Sequence, residues 1–377
     1  MQKLFKNYIY PIATLSGTII GVGFFSLPYI TSKVGFWVIL SYFFVLGILV
    51  TIIHLFFGEL SLKTPDYKRL PGFAKIHLGN WGEKIALVST IFGLFGTILA
   101  YLIVGGGFLT ELFSPIFGGN SLVYTIFYWA LGAILIFFGI KIISKVEIFD
   151  LIAFSIILIL ISLNGFSLFK IKNLFPSPHQ FWWGADFSQI FLPYGPVLFS
   201  LWGAALIPEV EEMLGEKKKL LPKIILISIL IPIIFYLLFT VSVLGITGPK
   251  TTETALIGLK DFLGPEIISP MLLFGVFVTF TSFIALGLTL KKVFCYDLKM
   301  KKNFAWAITC FLPLILFPIG IKNFIPVISF IGGIMLGIDG ILILLMYRKI
   351  KPEKMLLTSF LILIFVVGII YEIIYFF

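Results

Sequence analysis

From residue 8 onward this chain is a series of apolar runs, each about 20 residues long and parted by short polar stretches. A run of that length crosses the hydrocarbon of a bilayer as a helix. Inside lipid every peptide group needs a partner, so only helices and closed barrels can span. The runs are continuous rather than alternating, which argues against a barrel. Charged residues make up 12% of the sequence, about half of what a soluble domain carries, and the mean hydropathy is +1.11. The prediction is an all-α polytopic membrane protein with spans at 8–32, 34–62, 85–113, 121–140, 148–169, 190–210, 221–245, 267–290, 303–320, 323–347 and 355–377.

The basic residues test that set of spans. With the amino terminus in the cytoplasm, 22 of the 28 Lys and Arg fall in inner segments, among them Lys3, Lys63, Arg69, Lys141, Lys145, Lys217 to Lys219, Lys291 and Arg348. The other six, Lys33, Lys170, Lys172, Lys250, Lys260 and Lys322, fall outside. This is the positive-inside pattern, and one missed span would scramble it. It accounts for the net charge of +10 without nucleic acid. The expected location is the plasma membrane, with the carboxyl terminus outside and no cleaved signal peptide. Cys295 and Cys310 form no metal or redox pattern. Of the outer loops, residues 171–189 carry Pro176, Pro178, Trp182 and Trp183, which suit the membrane–water interface. Residues 251–263 put Leu256, Leu259 and Leu263 at helical spacing, which predicts an amphipathic helix serving as connector or lid.

The first span is interrupted at mid-depth. It reads Ser16-Gly17-Thr18-Ile19-Ile20-Gly21-Val22-Gly23 and then Phe24-Phe25-Ser26-Leu27-Pro28. Glycine weakens a helix and proline removes a donor from it. Opened backbone survives in a bilayer only where protein or water surrounds it. Span six follows the same plan, from Pro193-Tyr194-Gly195-Pro196 through Gly203 to Pro208-Glu209. Five crossings separate the starts of these spans. Five is odd, so a five-helix repeat inserts its second copy upside down, the plan of inverted-repeat transporters. Repeat one covers 8–169, repeat two 190–347, and 355–377 is an extra helix of one transmembrane domain.

The stretch Gly17 to Gly23 with Leu27-Pro28 resembles the first-helix signature of the amino acid–polyamine–organocation superfamily. Glu59-Leu60-Ser61 with Pro65 is similar to the end of its second helix. Pro193-Tyr194-Gly195 through Ile207-Pro208-Glu209, Tyr236-Leu237-Leu238-Phe239 and Gly245-Ile246-Thr247-Gly248 resemble helices six and seven of its amino acid permeases, near the hydroxy/aromatic amino acid and amino acid/auxin families. The resemblance covers about residues 8–348. It implies the LeuT-type fold, a 5+5 inverted repeat with discontinuous helices one and six plus an eleventh span. It also implies amino acid transport by alternating access, with spans one, two, six and seven rocking against three, four, eight and nine.

A zwitterion entering the midplane must have its hydration replaced at both ends. The N–H groups of Gly21, Val22 and Gly23 open the second half of span one and suit a carboxylate. Carbonyls of Thr18 and Ile19, and of Phe199, Ser200 and Leu201, suit the ammonium. Depth, and the family's use of spans one, three and six, mark Phe24, Tyr101 and Trp202 as walls for an apolar or aromatic side chain. The LeuT-type resemblance further implies a sodium ion held by the carbonyls of Gly17, Ile20 and Val278 and the hydroxyls of Thr281 and Ser282. Some relatives replace that ion by a lysine on span five, and residues 151–169 contain none. Asp339 and His54 are the candidate proton carriers inside the membrane. Glu59 reads as a solvated gate residue, and Glu209, Glu211 and Glu212 as surface charges or an inner gate.

The resulting expectation is a secondary amino acid importer, cation-coupled with sodium favoured and with no other cofactor. Its partners are the substrate and the bilayer, with no obligatory protein partner. A proton-coupled permease and a non-transporting amino acid sensor remain the alternatives. A membrane enzyme would need an acidic metal cluster or a nucleophile with its base, and no such set occurs.

Overall fold

Helices account for nearly all of the described chain, as its continuous apolarity requires. The computed structural model describes residues 5–64, 68–139, 146–175 and 189–376. Lys3, Pro65, Lys141, Lys145 and the loop residues Pro176, Pro178, Trp182 and Trp183 lie outside the described residues. Span one is α1 (Tyr10–Ile19) and α2 (Leu27–Val34), and span two is α3 (Phe36–Lys63). A short α4 (Leu70–Leu78) leads into span three, α5 (Asn80–Phe117). Spans four and five are α6 (Ser121–Phe138) and α7 (Val146–Gly165). Span six is α8 (Tyr194–Leu201) and α9 (Ile207–Leu214), and span seven is α10 (Leu221–Thr247). A surface helix α11 (Ala255–Leu263) precedes span eight, α12 (Pro265–Lys292). Span nine is α13 (Lys302–Leu316). Span ten is α14 (Phe324–Ser329), a π-helical segment (Phe330–Leu336) and α15 (Gly337–Ile350), and span eleven is α16 (Met355–Phe376).

Several boundaries shift by four or five residues: span three runs on to Phe117, the α-helix of span five stops at Gly165, and span six runs from Tyr194 to Leu214. Span three begins at Asn80 rather than 85, because Gly79 at φ +79° turns α4 directly into it. Span nine ends at Leu316 rather than 320: Pro318 cannot donate to the helix ladder and Gly320 takes φ +115°.

The helices form two groups. Spans three, four, eight and nine pack on one another, and spans one, two, six and seven do the same around α10. Ion pairs fix the sides. Arg69 meets Asp297 at 3.5 Å and Glu59 meets Lys351 at 3.6 Å, so the loops after spans two, eight and ten share one face. Here it is termed the lysine-rich face. On the opposite, lysine-poor face, Lys260 of α11 reaches Glu111 near the end of span three at 3.1 Å.

The tightest crossing joins α8 to the π segment of span ten. A Cβ on Gly332 would lie 1.9 Å from the Gly195 carbonyl oxygen, and one on Gly195 would lie 2.6 Å from the Ser329 carbonyl oxygen. Backbone faces backbone here, so neither side can yield by a rotamer change. This is the small-residue packing by which membrane helices approach closely. Gly332→Ala is therefore expected to destabilise the fold by about 1–3 kcal/mol, the usual effect of overpacking. Thermal unfolding in detergent checks it, with Gly35→Ala as a probe where backbone conformation alone acts, since a Cβ there meets nothing.

Candidate substrate site at the two helix breaks

Both discontinuous spans break in the same way. α1 stops at Ile19; Ile20 and Gly21 leave helical geometry, at ψ 75° and ψ −157°, and the two halves are bent by 48°. α8 stops at Leu201; Trp202 is extended and Gly203 lies outside the helical region. Each chain then winds a short 3₁₀ turn, Val22–Ser26 or Ala204–Leu206, before an α-helix restarts. Both restarts carry proline at the second position, Pro28 and Pro208. Proline is at ease there, since its missing N–H is one the first turn leaves unbonded anyway. The second break falls just beyond the expected carbonyls of Phe199, Ser200 and Leu201, with Trp202 and Gly203 at its centre.

Three side chains from outside the broken spans hold the opened backbone. The Tyr236 hydroxyl of α10 lies 2.7 Å from the Ile19 carbonyl and 3.0 Å from the Ser200 carbonyl, donating across both breaks with its single proton. The Tyr101 hydroxyl of α5 accepts from the Val22 N–H at 3.2 Å. It also stands where a Cβ on Gly21 would be, 2.7 Å away. His54 of α3, fully buried, accepts the Gly203 N–H on Nε2 at 2.9 Å. Its Nδ1 lies 2.8 Å from the Val50 carbonyl and donates to it, which assigns the neutral tautomer. His54 thus pins the second break to span two. Taking up a proton on Nε2 would require releasing Gly203.

The expected carboxylate donors are not all free in this conformation. Val22 donates to Tyr101, and the Gly21 N–H donates to the Ile19 carbonyl at 2.8 Å. Gly23 brings the breaks together, since a Cβ there would lie 2.5 Å from Ser200 Oγ and 2.8 Å from the Phe199 ring. Phe24 is buried in an aromatic layer. Its ring centroid lies 3.9 Å from Phe25, 4.4 Å from Phe154 and 5.1 Å from Phe239, and Phe25 lies 5.0 Å from Phe108. This layer seals the lysine-poor side of the breaks, under α11, whose Leu256, Leu259 and Leu263 all point inward. On the lysine-rich side Thr18 and Ala205 are exposed, and Trp202, edge-on to His54, is half-buried.

The other expected residues lie on spans one, eight and ten and on the lysine-rich ends of spans two and six. Gly17, Ile20 and Val278 are buried. Thr281 Oγ1 donates to the Val278 carbonyl at 2.9 Å, within its own helix, and Ser282 lies half-buried beside it. Asp339, in α15, accepts from Ser89 Oγ of α5 at 2.5 Å and is remote from the breaks in its bonding. Glu211 is buried at the lysine-rich end of span six, where Ser61 donates to one oxygen and Lys218 to the other at 2.7 Å. Glu59 pairs with Lys63 at 2.9 Å and accepts from Tyr347 at 2.7 Å. Tyr236 stood in the sequence only as part of a motif. Its hydroxyl in the polar-poor stretch of span seven was the available signal.

The model of the tryptophan/tyrosine permease family matches residues 6–375. The chain belongs to that family. It is 26% identical over 307 residues to the tyrosine-specific transport system 1 of Haemophilus influenzae, covering 77% of this chain and 73% of that protein. The fold of the permease is also that of MhsT, solved in complex with L-phenylalanine. The TM-score is 0.70 over 96% of this chain and 98% of that one, at 14% identity. A manganese transporter of Eremococcus coleocola gives 0.64 over 99% and 88%, at 12% identity. The permease is a LeuT-type, multi-pass membrane transporter for amino acids, not an enzyme.

Tyr236→Phe removes one donor shared by two carbonyls and is expected to cost about 1 kcal/mol of site organisation, roughly fivefold in apparent substrate affinity. A ligand-dependent thermal-shift titration measures it. His54→Ala should destabilise the protein by about 1–3 kcal/mol, because the Gly203 N–H is left buried and unbonded. His54→Gln, which can still accept, should recover much of that in the same unfolding assay.

Proposed function

We propose that this permease imports aromatic amino acids, tyrosine and tryptophan foremost, by alternating access. The observation that carries the reading is the pair of opened backbones bridged by one hydroxyl, Tyr236, between aromatic walls. An α-carboxylate at the start of the second half of span one would join or displace Tyr101 at the Val22 and Gly23 amides. Carbonyls of Thr18, Ile19, Phe199, Ser200 and Leu201 would receive the ammonium, and Phe24, Tyr101 and Trp202 the side chain. The names of the relatives, one tyrosine-specific and one solved with L-phenylalanine, support the substrate class. Exposure at Thr18 and Ala205, against the aromatic layer on the other side, supports a conformation open to the lysine-rich face. We take that face as cytoplasmic on the positive-inside pattern, which puts the carboxyl terminus outside. We further assign the chain to the amino acid–polyamine–organocation superfamily, as one domain of two repeats (8–169 and 190–347) and an extra helix.

For the coupling ion we propose sodium, held by the carbonyls of Gly17, Ile20 and Val278 with Thr281 and Ser282. Oxygen ligands without a carboxylate suit a monovalent cation. A proton-coupled cycle is the second reading, favoured by Asp339, a buried acid bonded to a hydroxyl rather than to a cation.

A thermal-shift screen of the twenty amino acids, with sodium or potassium, tests substrate and ion together. Tyrosine, tryptophan and phenylalanine should stabilise the protein. Replacing sodium should weaken that stabilisation by about tenfold in apparent affinity, within the usual range of a coupling free energy. An unchanged response in potassium would remove the sodium assignment and promote the proton. Gly21→Leu should abolish the substrate response while the protein still inserts, because its side chain must enter the space of the Tyr101 hydroxyl.

A further inference from the structure

The extra helix carries an acid that the breaks do not use. Glu372 is the one charged residue of α16 and is 1% exposed. It enters the glycine crossing of α8 with the π segment of span ten. A Cβ on Gly195 would lie 2.6 Å from its Oε1, and one on Gly333 would lie 2.2 Å from its Cγ. Two glycines therefore make room for one carboxyl. The Gly195 N–H donates to that carboxyl. In the first turn of α8 this amide is the one left over. The Tyr194 N–H is bonded to Phe191, Pro196 has none, and the Val197 N–H is bonded to Pro193. Glu372 thus caps the lysine-poor end of the half-helix from a neighbouring span.

Among the described residues, the rest of its surroundings carry no compensating charge. Oε2 is buried without a hydrogen-bond partner among the described residues, and so are the nearby hydroxyls of Tyr194 and Ser329. Among the described residues, those close enough to act on it electrostatically are Tyr42 of α3, Tyr194 of α8 and Tyr371 of α16, with Tyr375 one turn further along α16. α14 and the π segment contribute no titratable residue. On α15, Asp339 is taken by Ser89 and Tyr347 by Glu59, and Arg348 and Lys349 fall in its last turn; with Lys351, Glu353 and Lys354 they lie toward the start of α16, some 18 residues or more from Glu372 in the chain. A carboxylate here would be a bare charge in the membrane, whereas a neutral carboxyl can accept from Gly195 and donate to a buried oxygen.

We propose that Glu372 is a proton-binding site that latches the lysine-poor half of span six to spans ten and eleven. With its proton, the carboxyl stays buried and caps α8. On losing the proton to water, the charged side chain is drawn toward the nearby end of α16 and frees α8 to tilt. The eleventh helix thereby becomes part of the gate on that face.

The inference leans on the transport reading for one readout and is independent of it for the other. Glu372→Gln keeps an acceptor for Gly195 and cannot ionise. Initial uptake into proteoliposomes, measured between about pH 5 and 8, should vary in the wild type and lose that dependence in the Gln variant. A Gln variant with the wild-type pH profile overturns the proposal. Hydrogen–deuterium exchange on the wild-type protein without substrate covers the case of a variant that fails to fold. After correction for intrinsic exchange, protection of residues 194–201 should fall as pH rises. Protection that does not change with pH overturns the proposal, whatever the substrate screen returns.

Discussion

A peptide group without a partner in lipid is the constraint on which this structure turns, because two of its spans open their backbone at mid-depth. Each unsatisfied group there costs several kcal/mol. Tyr236, Tyr101 and His54 supply what the missing helical bonds no longer do, and each comes from a different span: seven, three and two. The breaks are therefore positioned by the bundle, not by glycine alone. Glycine permits the departure from helical geometry, proline makes the restart easy, and the three side chains decide which conformation the open stretch adopts. In the proposed function a site made this way offers main-chain dipoles to the charged ends of a ligand and leaves side chains for selectivity.

The same constraint explains why the two halves of the bundle differ in texture. Spans three, four and eight are unbroken helices of 38, 18 and 28 residues, and with the shorter span nine, 15 residues, they pack along their length. Spans one and six consist of short helical pieces, anchored at points. Gly23 against Ser200 and Gly195 against Gly332 are contacts too close for any larger residue. Point anchors can be released one at a time. A rod packed along its length moves as a whole, which suits it to be the frame.

The residues announced much of this. Apolar length marked the spans, lysine placement marked their alternation, and Gly21, Gly23, Pro28, Gly203 and Pro208 marked the breaks. Those signals are local: each depends on what one stretch of chain does in lipid. The partners of the breaks were not readable in the same way. His54 stood out as an ionisable residue in a span, but its tautomer and its bond to Gly203 depend on how span two faces span six. Thr281 has the composition of an ion ligand, yet its hydroxyl returns to its own helix, as Thr commonly does. Phe24 is expected as a pocket wall, although any one aromatic in so aromatic a chain is more often packing, and here it sits in the layer that closes one face. Glu372 did carry a local signal, as a lone acid near the end of an apolar run. Its partners, Gly195 and Gly333, lie more than 38 residues away in the chain, so the pocket they make for it is not written in the eleventh span itself.

Alternating access requires the site to lose contact with one side before it gains the other. In the conformation described, the lysine-poor side is closed by two separable devices. One is the aromatic layer of Phe24, Phe25, Phe108 and Phe239, reinforced by α11 and its Lys260–Glu111 pair. The other is the crossing of α8 with the π segment, where close approach leaves room for only one buried carboxyl. Rings that interlock edge-to-face slide apart with little loss, since each contact is worth only about a kcal/mol. Backbone pressed against backbone at Gly195 and Gly332 either stays or separates completely. In the proposed alternating-access cycle, opening on that face is governed by the crossing, and the aromatic layer follows it.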